Sequence, residues 1–367
     1  MKILLVRLRL IGDVVFTTPL IRALRRKYPG AHLTYVVEPL AAPVVLGNPH
    51  LNDVIVIPKR SGIGRLHDDL SAVSRLRRHR FDLAIDLHGG PRGAWLTWAS
   101  GARKRIGYRT PGRSWMYTDV VPRPADLSPR HSVAKQWDLL APLGIEPREP
   151  AHDAVEMADD PAATSRIAHL LAEAGIGAAH RLIVVHVSAG NPFRRWPADS
   201  FAALIGELVR RDPSRRIMVT SGPSDREAAE AIVKRAHEHF APGSSAIVHG
   251  EFEVAELRAL IDRAAVYIGG DSGPLHIAAT TRTPIVALFG PTLAERSMPW
   301  RDPRWFAEAV DAGSLPCRPC DQRKCEPGDF RCLTRLSADH VSAAVERALS
   351  TCHFEIAPDN MGRRAHA

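Results

Sequence analysis

Long apolar stretches and cysteines are both scarce in this sequence of 367 residues. No run is long and apolar enough to cross a bilayer as a helix, so the sequence predicts no membrane-spanning segment. Five cysteines are too few for a secreted disulfide scaffold of this length. The first residues, MKILLVRLRLIGDVVF, are interrupted by Arg7 and Arg9 and followed by no small-residue cleavage site, which favours a buried strand over a signal peptide. Together these features predict a cytoplasmic protein.

Common nucleotide-binding and metal-binding signatures are missing as well. No GxGxxG follows the first predicted strand, which argues against a standard dinucleotide-binding dehydrogenase. No GxxxxGK[ST] occurs, which argues against a P-loop NTPase. No Asp-X-Asp pair occurs anywhere, so the usual carboxylate platform for a metal bound to a diphosphate is missing. The charge of any diphosphate would then be neutralised by arginine, helix dipoles or histidine.

The chain does contain enough apolar sequence for two domains. Apolar residues make up 45% and charged residues 24%, and 367 residues exceed one ordinary core. The net charge of +9 and the pI near 9.7 indicate either surplus solubilising charge or an anionic partner: nucleic acid, acidic lipid or a phosphorylated glycan. Nucleic acid is the weaker choice, because no basic motif has interleaved aromatic residues. The basic residues cluster in the first half, at Arg22, Arg25, Arg26 and Lys27, at Lys59, Arg60 and Arg65, and at Arg75, Arg77, Arg78 and Arg80.

Predicted strands and helices alternate along the chain. This alternation indicates an α/β fold with mostly parallel sheets. A polar, Pro- and Asp-rich stretch at residues 145–165 is typical of a linker and divides the chain into residues 1–160 and 161–350, with a flexible tail at 351–367. Two doubly wound halves would face a cleft and bind ligands beyond the carboxyl ends of their strands. The predicted strands are Lys2–Leu8, His32–Val37, Val54–Ile57, Leu83–Leu87, Leu182–Val187, Arg216–Thr220, Ala246–His249, Ala265–Gly269 and Ile285–Leu288, and the helices Thr18–Tyr28, Leu70–His79, Pro197–Arg210 and Ala338–Ser350.

A carboxylate stands in the first strand-to-helix turn. Gly12 permits a tight turn there, and Asp13 follows it where the strand gives way to a helix. Facing a cleft, Asp13 can act as a general base on an acceptor hydroxyl. The alternative is that Asp13 caps the helix that begins near Thr17 or Pro19. The position of Asp13 in the sequence, taken by itself, favours the role of helix cap over that of general base.

Two further turns in the second half suit an anion. In the first, Ser188 and nearby backbone amides follow a buried strand, and Arg194 or Arg195 can add a charged contact; the alternative is a solvent loop with an ordinary arginine pair. In the second, GGDSGPLHIAA places three glycines and a serine at a strand-to-helix junction, with Asp271 and His276 nearby. Asp271 can accept hydrogen bonds from sugar hydroxyls, and His276 can contact a diphosphate if charged. Taken alone, His276 is more often a packed helix residue.

These segments, in this order, resemble glycosyltransferase family 9, the ADP-heptose:lipopolysaccharide heptosyltransferases. The likeness covers nearly the whole chain, and all its motifs are in register. They are IGDVVFTTP at Ile11–Pro19, FDLAIDLHGG with the following Arg92, RKRIGYR at Arg103–Arg109, HSVAKQWDLLAPLGI at His131–Ile145, VVHVSAG with the later RRWP, GGDSGPLHIAA, and LFGPT at Leu288–Thr292.

The resemblance implies a GT-B fold, with two Rossmann-like domains around a cleft. It implies inverting transfer of heptose from ADP-heptose to a lipopolysaccharide inner-core acceptor, at the cytoplasmic face of the inner membrane and without a metal or other cofactor. The N-terminal domain would bind the anionic acceptor and the C-terminal domain the nucleotide sugar. Asp13 becomes the expected base rather than a cap. The resemblance assigns the diphosphate to Ser188, Arg194, Ser272 and Gly273, the heptose to Asp271, with His276 in the same motif, and the ribose to Glu227.

Four cysteines lie close together near the end of the second half, at Cys317, Cys320, Cys325 and Cys332. Four thiolates can hold a structural zinc or iron ion, and a related group that glycosylates proteins uses similar cysteines for a metal. Their spacing is unlike the usual paired CxxC arrangement, and the alternative is a reduced or partly oxidised structural loop. No catalytic role is expected for them.

Other functions stay open at this point. A family 9 transferase with another nucleotide sugar or a protein acceptor is the nearest alternative. A catalytically inactive nucleotide-sugar-binding or scaffold protein is a second, although the presence of Asp13 and both phosphate turns argues against it. A nucleic-acid-binding module is the last.

Overall fold

The structure, a computed structural model, describes residues 1–60, 62–125, 128–238 and 246–351. The tail predicted for residues 351–367 therefore lies outside the described residues from position 352 onward. The described chain forms two parallel six-stranded sheets flanked by helices, one in each half. The predicted α/β class with two doubly wound halves is confirmed. The domain boundary after residue 160 stays a prediction, although the strands of the two sheets lie on either side of it.

The first sheet has the strand order β3-β2-β1-β4-β5-β6, and all its neighbours are parallel. Residues 3–6 of its central strand β1 have no exposed surface. A strand covered on both faces needs an unbroken apolar run, which this segment supplies. The strands are β1 (Lys2–Val6), β2 (His32–Val37), β3 (Asp53–Val56), β4 (Leu83–Asp86), β5 (Lys104–Tyr108) and β6 (Asp119–Val121).

The second sheet is also all parallel, in the order β12-β11-β10-β7-β8-β9. Its central strands β7 and β10 are equally apolar and buried. The carboxyl ends of its strands lie along one edge, and the turns that carry Ser188 and Ser272 begin there. The strands are β7 (Arg181–His186), β8 (Arg215–Thr220), β9 (Ile247–Gly250), β10 (Val266–Gly270), β11 (Ile285–Phe289) and β12 (Ala307–Asp311).

The helices pack their apolar faces on these sheets. Several begin with a proline in the first turn, where its missing N–H costs no hydrogen bond; Pro19, Pro91, Pro161 and Pro274 stand there. The helices are α1 (Ile11–Val15), α2 (Thr18–Lys27), α3 (Gly62–His79), α4 (Pro91–Ala99), α5 (Ser132–Trp137), α6 (Pro161–Glu173), α7 (Ala198–Arg211), α8 (Arg226–His237), α9 (Val254–Asp262), α10 (Gly273–Ala278), α11 (Ala294–Ser297), α12 (Arg331–Thr334) and α13 (Ala338–Ser350). Within the described ranges, none of them combines the length and apolar character that a membrane span requires.

The predicted elements are found with ends displaced by one or two residues, but three strands were missed. Two of these, β6 and β12, are edge strands of their sheets. Edge strands tolerate charge and partial exposure, so β12 (AEAVD) carries none of the apolar run by which the central strands were recognised. Helix α3 also begins earlier than predicted, at Gly62 instead of Leu70.

The predicted linker is not a solvent-exposed tether. It contains no helix or strand before α6, but it packs on α2, and its Asp153 has no exposed surface. Arg26 donates to both carboxylate oxygens of Asp153, at 2.5 and 2.7 Å. The indole N–H of Trp300, from the second half, donates to the Asp153 carbonyl at 2.9 Å. The linker therefore joins the two halves through buried polar contacts.

These contacts correct one expectation about the basic first half. Arg22 and Arg26 pair with the linker carboxylates Glu156 and Asp153. Arg25 donates to three backbone carbonyls and to the Asn52 side chain. The fold uses these arginines internally, so they are not a free basic surface for an anionic partner.

Candidate active site

The turn that carries Asp13 and the turn that carries Ser272 meet where the two halves touch. Helix α1, which follows β1, packs on α10, which follows β10. The His276 ring lies under Gly12 so closely that a Cβ at Gly12 would overlap it. A Cβ at Gly273 would lie 3.3 Å from the Ile11 Cβ, and the rings of Phe16 and His276 are 4.3 Å apart. The tertiary structure therefore brings the predicted base and the predicted donor turn to one junction.

Asp13 does not cap a helix. It lies in the first turn of α1, and the N-cap residues of α1 and α2 are Leu10 and Thr17. Its carboxylate instead forms an ion pair with Arg7, whose Nη2 lies 2.6 Å from Asp13 Oδ2. The side chain of Asp13 is 34% exposed and that of Arg7 only 6%. A partly exposed carboxylate on a buried cation is compatible with a base that receives a ligand from the solvent side.

Arg7 is itself held by the first sheet. Its Nη1 donates to the carbonyl of Leu87 at 2.7 Å, just beyond the end of β4, and the backbone N–H of Arg7, which follows β1, donates to the carbonyl of Val36 in β2. The guanidinium thus spans the carboxyl ends of the two central strands. Because a buried arginine is costly to move, it fixes the Asp13 carboxylate relative to the sheet.

Arg194, Asp271 and His276 form one charged group at the start of α10. Arg194 Nη1 lies 3.0 Å from Asp271 Oδ2 and 3.1 Å from the Asp271 carbonyl, and His276 Nε2 lies 3.6 Å from Oδ1. Burial alone would raise the pKa of Asp271, but the hydrogen bond with His276 and the charge of Arg194 lower it to about 2. Asp271 is therefore ionised throughout the physiological range.

Ser272 and Gly273 form the turn between β10 and α10. Ser272 is the N-cap residue of α10, but its hydroxyl makes no capping hydrogen bond. Its Oγ is buried and has no hydrogen-bond partner among the residues that the structure describes. A buried hydroxyl without a protein partner is costly, which points to a ligand at this turn.

Ser188 lies at the end of β7, in a small polar network. Its Oγ accepts a hydrogen bond from Gly222 N at 3.0 Å and lies 3.2 Å from His186 Nε2. His186 Nδ1 lies 3.0 Å from Thr220 Oγ1, and burial lowers the pKa of His186 to about 4. The neutral ring therefore ties the ends of β7 and β8 together. A phosphate contact by Ser188 stays a prediction, as does the ribose contact of Glu227, which is exposed in the first turn of α8.

The four cysteines lie apart from the two sheets, in the segment between β12 and α12 and in α12 itself. Cys317, Cys320, Cys325 and Cys332 are all free thiols. Across the described ranges, no three His, Cys, Asp or Glu side chains are grouped so as to hold a metal ion. A structural zinc or iron ion at these cysteines stays a prediction.

Some residues of the site were not assigned a role from the sequence. His131 Nε2 lies 2.9 Å from the carbonyl of Met298 in the second half, and its Nδ1 accepts from Val133 N. Gln322 Oε1 accepts a hydrogen bond from Arg194 Nε at 2.7 Å. The sequence did contain an indication for Arg7, because a charged residue that interrupts a buried apolar strand needs a partner of opposite charge nearby. No sequence pattern indicated a role for Gln322, since it lies in a segment without helix or strand.

Comparison with known proteins decides the family. Residues 70–329, more than half of the chain, match the model of glycosyltransferase family 9 (heptosyltransferase). The chain belongs to this family. It is therefore an enzyme, a glycosyltransferase, and its two facing sheets are those of the GT-B fold.

Relatives of this family 9 chain extend the likeness beyond the matched range. Lipopolysaccharide heptosyltransferase 3 of Escherichia coli is 29% identical over 349 residues, covering 93% of this chain and 97% of that protein. A family 9 glycosyltransferase from Veillonella parvula has the same fold at a TM-score of 0.83 and 23% identity, covering 95% of this chain and 97% of that one. The E. coli ADP-heptose lipopolysaccharide heptosyltransferase II matches at a TM-score of 0.75 and 19% identity, covering 95% and 99%.

Proposed function

We propose that this family 9 enzyme transfers heptose from ADP-heptose to an inner-core acceptor of lipopolysaccharide, with inversion and without a metal ion. The name of the E. coli heptosyltransferase, which aligns over 93% of the chain, supports the donor and acceptor classes. One structural observation carries the proposal. The helix that holds Asp13 and the turn that holds Ser272 and Gly273 are in contact at the junction of the halves, so a base and a diphosphate site face the same space.

Asp13 is the general base in this proposal. Its carboxylate takes the proton from the acceptor hydroxyl while that oxygen attacks the anomeric carbon, and the bond from this carbon to the diphosphate breaks with ADP leaving. A single displacement of this kind inverts the anomeric configuration. Arg7 orients the carboxylate through the 2.6 Å ion pair.

The second half holds the nucleotide and its leaving diphosphate. Arg194 supplies the positive charge, and the unpartnered Ser272 hydroxyl and the backbone at Gly273 supply hydrogen-bond donors. Asp271, fixed by Arg194 and His276, accepts hydrogen bonds from heptose hydroxyls. No step requires a carboxylate pair that binds a metal.

The first half receives the anionic acceptor. An open cavity of about 620 Å³ is lined by Arg109, Arg113, Arg123 and Trp115. Arg123 donates to the carbonyl of His88, which follows β4 beside β1, so the cavity opens near the edge that carries Asp13. The exposed rings of Trp98 and Trp115, 5.6 Å apart, suit contact with sugar rings or with the membrane interface that presents a lipid-linked acceptor.

Turnover of the donor tests the proposal. Purified wild type and Asp13→Asn are given ADP-heptose and a truncated lipopolysaccharide, and ADP release is followed. We expect release by wild type and a loss of at least about 100-fold in Asp13→Asn, the scale of general-base catalysis, with ADP affinity retained. Asp302→Asn is the matched control, because Asp302 is also an arginine-paired surface carboxylate but lies before the edge strand β12.

Each outcome has a distinct meaning. Full activity of Asp13→Asn would exclude it as the base. If wild type ignored ADP-heptose but used another nucleotide sugar, or a protein acceptor, the fold and site would stand and the substrate assignment would be wrong. For the acceptor, Trp115→Ala and Arg113→Ala should raise the KM of the lipopolysaccharide without changing the affinity for ADP.

A further inference from the structure

The segment that carries the cysteines, residues 312–332, packs on the donor side of the site. We call it the cysteine segment; it follows β12 and lies outside both sheets. Arg318 Nη2 donates to the Thr292 carbonyl at 3.0 Å, and Cys320 N donates to the Pro291 carbonyl at 3.3 Å. The rings of Phe193 and Phe330 lie 5.4 Å apart. The segment is thus fixed against the turn that precedes Arg194.

One side chain of this segment reaches the predicted diphosphate ligand. Gln322 Oε1 accepts from Arg194 Nε at 2.7 Å and from Asn191 Nδ2 at 3.0 Å. The side-chain Oδ1 of Asn191 in turn accepts a hydrogen bond from the backbone N–H of Phe193, which stabilises the same turn. A single amide oxygen therefore fixes both ends of the four-residue turn from Asn191 to Arg194.

These contacts determine which part of the guanidinium remains for a ligand. Nε is occupied by Gln322, and Nη1 by Asp271. Nη2 makes no hydrogen bond or ion pair within the part of the chain that the structure describes. Since the guanidinium is planar and rigid, holding Nε and Nη1 also fixes the direction of Nη2.

We infer that Gln322 is a positioning residue for the nucleotide-sugar site: it orients Arg194 so that its free nitrogen faces the diphosphate of the donor. This inference rests on the proposed function, in which Arg194 binds that diphosphate. It assigns the cysteine segment a part in donor binding that does not depend on a metal. Without Gln322, Arg194 keeps its charge and its pairing with Asp271 but loses the acceptor that fixes its rotation.

The test uses the full-length enzyme and ADP as the probe. Gln322→Met keeps the length of the side chain and removes the acceptor oxygen. Gln322 has a positive φ of 60°, and methionine is no worse suited to that conformation than glutamine because both are unbranched at Cβ, so the exchange adds no new backbone strain. We expect the dissociation constant of ADP and the KM of the sugar donor to rise about tenfold, on the scale of one hydrogen bond to a charged group, with the unfolding temperature little changed.

The neighbouring Arg323→Met is the matched control. Arg323 lies in the same segment, is 88% exposed, and pairs only loosely with Asp321 at 3.8 Å. It should bind ADP as wild type does. Gln322→Asn is a second variant that keeps an amide but withdraws it by one methylene, and it should weaken ADP binding as the methionine variant does.

A double-mutant cycle with Arg194→Ala separates positioning from a merely structural role. In the Arg194→Ala background, Gln322→Met should cause no further loss of ADP affinity. An equal loss in both backgrounds, or unchanged ADP affinity in Gln322→Met, would overturn the inference. If Arg194→Ala alone bound ADP like wild type, the donor site of the proposed function would be wrong as well, so the two failures are distinguishable.

Discussion

Replacing Gly12 with alanine tests whether the junction of the two halves controls the site. Gly12 lies in helix α1, where alanine is conformationally allowed, and its added Cβ would overlap the His276 ring. His276 has little freedom to retreat, because it is 5% exposed and packs on Phe16 at 4.3 Å between ring centres. The strain should therefore be relieved by moving α1 away from α10, and Asp13 moves with it.

The size of the effect follows from two opposing contributions. Overpacking a buried site costs about 1–3 kcal/mol. Glycine to alanine within a helix returns roughly 1 kcal/mol. The net loss of stability is about 0–2 kcal/mol, which leaves the protein folded with an unfolding temperature lowered by a few degrees at most. Activity should suffer far more, since misplacing a catalytic group by an ångström can cost about 100-fold in rate.

The assay is ADP release with ADP-heptose and acceptor, beside thermal unfolding. Gly30→Ala is the matched control, because a Cβ there would meet nothing within 4 Å. Combining Gly12→Ala with His276→Ala should restore part of the lost stability, since the overlap disappears. A Gly12→Ala enzyme with wild-type kcat would refute the argument that contact between α1 and α10 sets the position of Asp13.

Three further perturbations probe the contacts around the site. Arg7→Met should reduce kcat in the ADP-release assay by at least about tenfold, on the scale of an interaction that aligns a catalytic group, while ADP affinity stays unchanged; an unchanged kcat would show that Asp13 needs no partner. Asp153→Asn removes a buried carboxylate that accepts two hydrogen bonds from the part-exposed Arg26 and should cost about 1–3 kcal/mol in urea unfolding; a loss under about 0.5 kcal/mol would show that this contact contributes no more than an ordinary surface pair. Burial lowers the pKa of His131 from 6.5 to about 4. As the pH falls, His131 is therefore protonated first in the unfolded chain, and the folded state loses stability between these two pH values. From pH 7 to 5 the free energy of unfolding of wild type should fall by about 2 kcal/mol more than that of His131→Gln, and equal losses in the two proteins would contradict this.

The central parts of the fold could be predicted from local pattern. The strands β1, β4, β7 and β10 are buried on both faces, so their apolar runs are unbroken and visible in the sequence. The edge strands β6 and β12 were missed because partial exposure permits charge there. Asp13 illustrates the limit within the site: its position before a helix suited a cap, and only the ion pair with Arg7 shows that its carboxylate is engaged elsewhere.

By itself the sequence determined the α/β class, the two halves, the turns that carry Asp13, Ser188 and Ser272, and the likeness to family 9. These follow from neighbouring residues, through periodicity, turn chemistry and motif. The tertiary structure decided which of these residues meet. It pairs Asp13 with Arg7 and packs Gly12 against the His276 ring. It also brings Gln322 into contact with Arg194, which lies 128 positions away in the chain. It also pairs Arg22 and Arg26 with the linker carboxylates Glu156 and Asp153. Such pairings depend on how sheets and helices pack, and no local pattern encodes them.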